Sequence, residues 1–366
     1  MTTQSISIAL ATYNGSRFIE EQLQSLARQA LLPAELIITD DASTDNTVEK
    51  VRQFTQQAPF PVSIYVNEER LGYQNNFLKA VSLCSSDLIA FCDQDDRWRP
   101  NKLAVMERAM RDPDVLVACH NADVVDDAGT FLRLQNPWET VDRKLSPMEE
   151  APWKFAAGFT QVFRRGLLAF THLNKLSYDP NSENRFLAHD QWVSLLGCLG
   201  TQQYIGESLV DYRQHGGNVC GASSSTDQSL LEKLHLKIED RSRLYHRLQR
   251  SSEANANIFD LISKQEGVSE VYKRRAAEVG SRWSSLSRLY ALRARAYMAP
   301  SVSERSAAIA GLIKLNGYND KDIWSYGKKS LVRDILLGVM AGPLVARSGA
   351  PKSLIDSSVR SLKPLA

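Results

Sequence analysis

The chain has 366 residues, 43% of them hydrophobic and 23% charged, with 44 lysines and arginines against 42 acids. This is the composition of a soluble globular protein, with length for one large domain or two ordinary ones. No run approaches the roughly 20 apolar residues a membrane span needs, and the opening MTTQSISIAL has neither a basic n-region nor a cleavage site, so no secretory leader is expected.

In chain order, the first 125 residues alternate between strand and helix signals. ISIALATY is a β-rich run ending at the turn pair Asn14-Gly15, and Ser16 is placed to cap a helix carrying Phe18, Ile19, Leu23 and Leu26 at helical spacing. AELIITDDAS predicts a second buried strand, after which Ser43, Thr44 and Asp45 open a helix to about Phe54. PVSIYVNEE is a third strand, Tyr73 to Leu83 a third helix and DLIAFCD a fourth strand. Pro100 falls in the first turn of a helix holding Leu103, Val105 and Met106, and VLVACHNADVVD is a fifth strand. Continuous apolar strands alternating with helices imply a mostly parallel sheet covered on both faces.

From about 127 to 225 the pattern is irregular, with a polar loop near 130–150 bearing Pro137 and Pro147. The Gly/Ser-rich GASSSTDQS (221–229) reads as a boundary. Beyond it, LLEKLHLKIEDRSRLYHRL and EVYKRRAAEVGSRWSSLSRLYALRARAYM read as amphipathic helices with arginine-rich outer faces. Charge follows the same division: 24 lysines and arginines face 14 acids from residue 226 onward, leaving 20 against 28 before it. Five cysteines (84, 92, 119, 198 and 220) form no CxxC pair and read as buried thiols of a reducing cytosol.

In an open parallel sheet ligands bind at the carboxyl ends of the strands. Polar residues gather there: Thr12-Tyr13-Asn14 after the first strand, Asp40-Asp41 after the second, and Asp93-Gln94-Asp95-Asp96 after the fourth. Asp40 and Asp41 also fit a turn with helix capping. Three carboxylates in four positions repel one another and call for a positive partner, whether metal, basic side chain or solvent. No Gly-rich phosphate loop follows the first strand, which argues against a dinucleotide-binding enzyme.

ATYNG, IITDDASTD and IAFCDQDDRW, in that order and spacing, resemble the family 2 glycosyltransferases of GT-A fold over about residues 5–225. The resemblance implies an α/β catalytic domain over 1–225, its nucleotide-sugar half about 1–125 and its acceptor half about 126–225, followed by a basic helical region over 226–366. It implies that Asp93 and Asp95 match the family's DxD motif: Asp93 near the donor ribose or the metal, Asp95 a ligand of Mg²⁺ or Mn²⁺ bridging the diphosphate. Hard carboxylate oxygens suit such a cation. Asp96 would help position the site. Thr12, Tyr13 and Asn14 match the base-binding edge, and Asp41 the residue accepting from a pyrimidine N3–H, a contact that favours uracil or thymine over cytosine.

In FLAHDQWV, Asp190 stands where related sequences carry the catalytic base of an inverting transfer. Two other readings stay open: His189 as the base, or Asp190 as the N-cap of a helix starting at Gln191. DYRQHGGNVCG is similar to strings of the rhamnosyltransferase-like branch; there Arg213 would contact the diphosphate, His215 would join the metal shell, and Gly216-Gly217 would form a mobile loop over the donor. GFTQVFRR resembles an acceptor-side segment with Thr160 near the reacting sugar, while Arg164 and Arg165 read as a solvated face. The implied donor is a dTDP- or UDP-linked sugar, dTDP-L-rhamnose foremost, and the implied acceptor a saccharide, lipid-linked in many relatives of bacterial polysaccharide assembly. For the basic helices two readings stay open: packing on the catalytic domain or on a second subunit, or resting on an anionic membrane from the cytoplasmic side. The apolar, arginine-flanked LVRDILLGVMAGPLVARSG (331–349) fits the latter. Nucleic acid is not expected as a partner, because the positive residues lie among acids without interleaved aromatic platforms.

Overall fold

A computed structural model describes residues 4–182, 185–215 and 230–341. Of these, the residues within Met1–Asp179, Asn184–Ser223 and Asn257–Gly280 form one compact unit, and those within Pro180–Glu183, Ser224–Ala256 and Ser281–Ala366 a second.

The first unit is built on β1 (Ile6–Thr12), α1 (Ile19–Ala27), β2 (Glu35–Asp40), α2 (Thr47–Thr55), β3 (Val62–Val66), α3 (Tyr73–Leu83), β4 (Leu88–Cys92), the short β5 (Arg97–Trp98), α4 (Lys102–Ala109) and β6 (Val115–Val125). It continues through β7 (Phe131–Leu134), β8 (Arg143–Leu145), β9 (Val162–Arg164), α5 (His189–Leu196) and β10 (Thr201–Arg213). One sheet has the order β3-β2-β1-β4-β9-β6-β10-β5, with β7 on β6 and β8 on β10. β3, β2, β1 and β4 are parallel, β9 is wedged antiparallel between β4 and β6, and β6 and β10 are again parallel. This mostly parallel sheet flanked by helices is the α/β architecture the alternating strand and helix signals predict.

The apolar strands are explained by burial on both faces. Ile6, Ile8 and Leu10 share a core with Leu36, Ile38, Leu88 and Ala90, sealed by Leu23 of α1, Val51 of α2 and Leu103 of α4. On the opposite face Phe77 of α3 meets Phe91 of β4 edge-on at 5.6 Å.

Local details depart from the sequence expectations. Ser16 does not cap α1: its N–H goes to Asp45 Oδ2 at 3.0 Å, while Gly15 O accepts from Phe18 N and Ile19 N. Arg164 is not a solvated residue. Its guanidinium donates to the carbonyls of Val115, Met110 and Asp112, each at 2.8 Å, tying the end of α4 to the start of β6. Arg165 is exposed, as expected.

The helices α6 (Leu230–Lys264) and α7 (Glu270–Met298) run through both units, and α8 (Val302–Lys314), α9 (Lys328–Arg333) and a π-helical stretch Asp334–Ala341 complete the second. Not all of the basic residues face outward. Arg293 is 4% exposed, sandwiched between the rings of Tyr245 and Tyr326. The buried Asp334 accepts from its Nε at 2.7 Å and from the hydroxyls of Tyr297 and Tyr318. A buried cation with a hydrogen-bonded counter-charge holds its place where an unpaired one would not. Arg305 is likewise buried, donating to Ala299 O and Gly338 O. No helix among the described residues is long and apolar enough to cross a membrane. The loop Gly216-Gly217, the 221–229 stretch and residues 342–349 lie outside the described residues.

Candidate active site

The strand ends form one polar edge. Thr12 lies opposite Asp40, and Leu10 opposite Cys92, so Asp93 and Gln94 leave the sheet beside Thr12 and Tyr13. Gln94 ties the two tips together: its Oε1 accepts from Tyr13 N at 2.9 Å and its Nε2 donates to Tyr13 O at 3.1 Å. Glycine at position 15 makes this possible, since a Cβ there would stand 2.1 Å from Gln94 Oε1. Asn14 adopts φ 46°, donates its N–H to Ser43 Oγ at 2.8 Å and accepts from Thr44 N at 2.9 Å. Its amide side chain suits the left-handed region better than most.

The residues expected at the base edge divide in two. Thr12 is 2% exposed and its hydroxyl is spent on Asp40 Oδ2 at 2.6 Å, so its side chain supports the edge rather than facing a ligand. Tyr13 is half-buried, with the Arg70 guanidinium 4.0 Å from its ring centroid. Asp41 is 2% exposed and accepts from Leu71 N at 2.7 Å, Gly72 N at 2.8 Å and Asn67 Nδ2 at 3.0 Å, anchoring the start of α3. A carboxylate has about four acceptor positions, so one remains.

At the tip of β4, burial first, and then the negative charges of Asp95 and Asp190, push Asp93 up to about 7, with Lys102 opposing. Asp95 and Asp190 thus act on Asp93 together although nearly a hundred residues separate the last from the others. Asp96 is 1% exposed; its Oδ1 accepts from Arg213 N at 3.1 Å and its Oδ2 has no partner. Burial, aided by Asp93 and Asp95, drives it well above the usual carboxylate range. The basic side chain beneath the cluster is Lys102, which sequence reasoning missed. It is fully buried, donates to Phe159 O at 2.7 Å and lies 3.4 Å from the Trp98 ring centroid. Burial pushes it down to about 7 against the pull of Cys92, Asp96 and Asp93. In the sequence it is one lysine in a helical run, with no signal that it points inward.

Arg213 corrects another expectation. It is 3% exposed and binds within the protein: Nε to Asp95 O at 3.1 Å, one terminal nitrogen to Asp127 O at 2.7 Å, the other to Glu21 Oε2 at 2.6 Å. It clamps the DQDD turn instead of offering itself to a diphosphate. His215 Nε2 lies 2.9 Å from Asp95 Oδ2, with its ring 4.9 Å from Phe18. Among the described residues no three His, Cys, Asp or Glu side chains converge as a ligand set. The edge offers a hard cation the oxygens of Asp93 and Asp95, a donor set that suits an ion taking most of its ligands from phosphate and water. The uncompensated charge that raises Asp93 is what such an ion would relieve.

Asp190 sits in the first turn of α5, which begins at His189, so it is not the N-cap. Gln191 N donates to its Oδ1 at 2.8 Å and Gly158 N to its Oδ2 at 3.2 Å. His189 is buried, its ring stacked on Phe77 at 4.0 Å and edge-on to Phe91 at 4.7 Å. Burial lowers its pKa below the ordinary value. Its ring is packed among phenyl rings, and its Nδ1 has no partner. Beside Asp190 a cavity of about 380 Å³ opens, bordered by Thr160, Trp153, His120 and Gln135. Thr160 Oγ1 donates to Ala157 O at 2.7 Å.

Residues 7–170 match the family model described as glycosyl transferase family 2. The chain is 26% identical over 229 residues to an uncharacterized glycosyltransferase of Nostoc sp., a match covering 61% of this chain and 69% of that protein. A dTDP-rhamnosyl transferase of Shigella flexneri is 39% identical over 98 residues, 26% of this chain and 34% of its own length. An abequosyltransferase of Salmonella typhimurium is 30% identical over 145 residues, 38% of this chain and 43% of the relative. The chain thus spans less than half the length of these two sugar-specific relatives.

Proposed function

From the family 2 glycosyltransferase domain that this chain carries over residues 7–170, we propose that it transfers a sugar from a nucleoside-diphosphate donor to a saccharide hydroxyl, with inversion at the anomeric carbon, in bacterial polysaccharide synthesis. The observation that carries this reading is the polar edge itself, with Asp93 and Asp95 at the tip of β4, His215 Nε2 2.9 Å from Asp95 Oδ2, and a cavity bordered by Asp190. Asp190 is the base. Two backbone N–H groups fix its carboxylate and leave acceptor positions toward the cavity. As the acceptor oxygen bonds to the anomeric carbon, its proton passes to Asp190, the bond from that carbon to the diphosphate breaks, and the electron pair leaves with the diphosphate. Asp93 and Asp95 hold the diphosphate end, with His215 beside Asp95. Mg²⁺ or Mn²⁺, when bound there, supplies charge neutralisation for the leaving group.

The remaining acceptor position of Asp41 is assigned to the pyrimidine N3–H, with Tyr13 and Asn14 bordering the base. Likeness to the Shigella dTDP-rhamnosyl transferase favours dTDP-L-rhamnose. A UDP-hexose is the second reading, since uracil presents the same N3–H. We take the acceptor to be lipid-linked and met at the cytoplasmic membrane surface: the second unit exposes Val332, Leu336 and Met340 near Lys328 and Lys329, the chemistry of a surface that rests on anionic lipid.

Calorimetric titration of dTDP-rhamnose and UDP-glucose, with and without Mn²⁺, tests the donor site. Wild type should bind one of them in a metal-dependent way, and Asp95→Ala should lose about tenfold or more in affinity. Equal binding by the variant, or binding indifferent to metal, would refute the assignment.

A further inference from the structure

The peptide that holds Asp190 is itself held. Gly158 N donates to Asp190 Oδ2 at 3.2 Å. Gly158–Thr160 is a single 3₁₀ turn, closed by Thr160 N on Ala157 O at 2.9 Å and by Gln161 N on Gly158 O at 2.8 Å. A Cβ at position 158 would lie 3.0 Å from His189 Nε2 and 3.3 Å from Asp190 Cβ, so glycine lets the turn come this close to the start of α5. Gln161 fixes the far end: its Nε2 donates to Asp190 O at 3.2 Å and to Ser194 Oγ at 3.1 Å. The Phe159 ring stacks on Tyr212 of β10 at 4.6 Å. Ala157, Thr160 and Asp190 border the same cavity, so a shift of this turn moves the carboxylate and the wall together.

Phe159 O accepts from Lys102 Nζ at 2.7 Å. Lys102 is the first residue of α4 and is 0% exposed. Lysine is almost never fully buried, because its amine gives up its water. A methionine would fill the same space without that cost, so the amine calls for a role. What it adds is a donor that reaches a carbonyl of the turn, and it donates whether charged or neutral. The foot of the side chain is firm. Lys102 N donates to Arg99 O at 3.1 Å, its Nζ lies 3.4 Å from the centroid of the buried Trp98 ring, and Trp98 N donates to Ser25 Oγ at 3.0 Å. Trp98 also pairs with Val210 of β10 and stands two residues beyond Asp96 of the acidic tip. The amine thus joins the segment leaving DQDD to the turn that donates to Asp190.

We propose that Lys102 is a positioning residue for the transfer: its bond to Phe159 O holds the Gly158–Thr160 turn where Gly158 N sets the Asp190 carboxylate at the angle from which it takes the acceptor proton. Lys102 acts through Asp190 and touches no substrate. This rests on the reading of Asp190 as base given above and adds to it the side chain that keeps the base in place. Misplacing such a group by about 1 Å can cost about a hundredfold in rate.

The test is a double-mutant cycle on the full chain, pairing Lys102→Met with Asp190→Asn. It is read as kcat for nucleoside diphosphate release from whichever of dTDP-rhamnose and UDP-glucose wild type turns over, with Mn²⁺ saturating. With Asp190 present, Lys102→Met should lower kcat by about tenfold or more while the donor KM stays within about threefold. In the Asp190→Asn background it should lower kcat by less than about twofold, because no base remains to be misplaced. Amide hydrogen exchange at Gly158 gives a second reading that needs no turnover: Lys102→Met should speed it by about tenfold while amides of β1 and β2 keep their wild-type rates. Equal loss of kcat in both backgrounds, or unchanged exchange at Gly158, overturns the proposal and leaves the transferase reading standing. Full turnover by Asp190→Asn removes the base and with it this role for Lys102. An absence of turnover with either donor counts against the donor reading, and exchange at Gly158 then decides whether Lys102 holds the turn. Should Lys102→Met fail to fold, Lys102→Arg, which keeps a donor but lengthens the strut, decides by the same two criteria.

Discussion

The base edge and the Asp190 cavity lie in the same compact unit and are furnished in opposite ways. At the base edge nearly every polar side chain is spent within the protein: Thr12 on Asp40, Gln94 on the Tyr13 backbone, Asp41 on the start of α3, Arg213 on the DQDD turn. At the cavity, charges cancel in pairs while His120 Nε2 and Gln135 Oε1 stay unmatched. The difference teaches how each is held: the edge is a rigid frame that presents a few oxygens at fixed positions, and the cavity wall is fixed by paired charges with two buried acceptors left over.

The largest effect should come where the two meet. Asp190→Asn removes the proposed base but keeps the shape, so turnover should fall by about 10²–10⁴-fold while nucleotide affinity stays within about twofold. Steady-state and binding measurements on one preparation decide it, and unchanged turnover would separate Asp190 from the chemistry. Next, Arg213→Met strips the frame of its clamp, taking its donor from the carbonyls of Asp95 and Asp127 and leaving Glu21 with Arg97. Denaturant unfolding should show a loss of about 2–4 kcal/mol, with nucleotide affinity of the folded protein little changed. Normal stability with weakened nucleotide binding would restore Arg213 as a diphosphate contact.

Gln94→Ala should cost about 1–2 kcal/mol through the two lost bonds to Tyr13, and raise the donor KM more than it lowers kcat. The smallest effect concerns Asp45, which receives hydrogen bonds from Ser16 and Thr47. Burial raises its pKa, but the bonds from Thr47 and Ser16 outweigh this and lower it to about 2. A depressed carboxylate stabilises the fold above its unfolded value and loses that contribution as pH falls from about 4 toward 2. Asp45→Asn should therefore be less stable than wild type by about 1 kcal/mol at pH 7, discounted for partial exposure, with the two stability curves converging near pH 2.

The frame was legible in the sequence because its signals are local. Alternating apolar runs gave the parallel sheet, α3 has the predicted bounds, and DQDD at a strand end marked the acidic tip. What escaped depends on direction and distance. Arg213 looks like a ligand-binding arginine until β10 turns it inward against Asp95 and Glu21. Lys102 is one residue in a helical run until burial under Asp96 and Asp93 sets its charge against theirs. His120 reads as part of a buried strand, and only the missing partner at Nε2 distinguishes it. No periodicity records which way a side chain points or whether its last lone pair is filled.

The claim on which the rest depends is that the acidic edge of Asp93 and Asp95 drives release of a nucleoside diphosphate from a sugar donor. It is tested most directly by a donor panel of dTDP-rhamnose, UDP-glucose, UDP-galactose and UDP-N-acetylglucosamine, read by nucleoside diphosphate release with Mn²⁺ or with chelator, for wild type and Asp95→Ala. Metal-dependent release from one of these donors, lost in the variant, is the predicted result. Release from none of them, or release that persists in both chelator and Asp95→Ala, would contradict it.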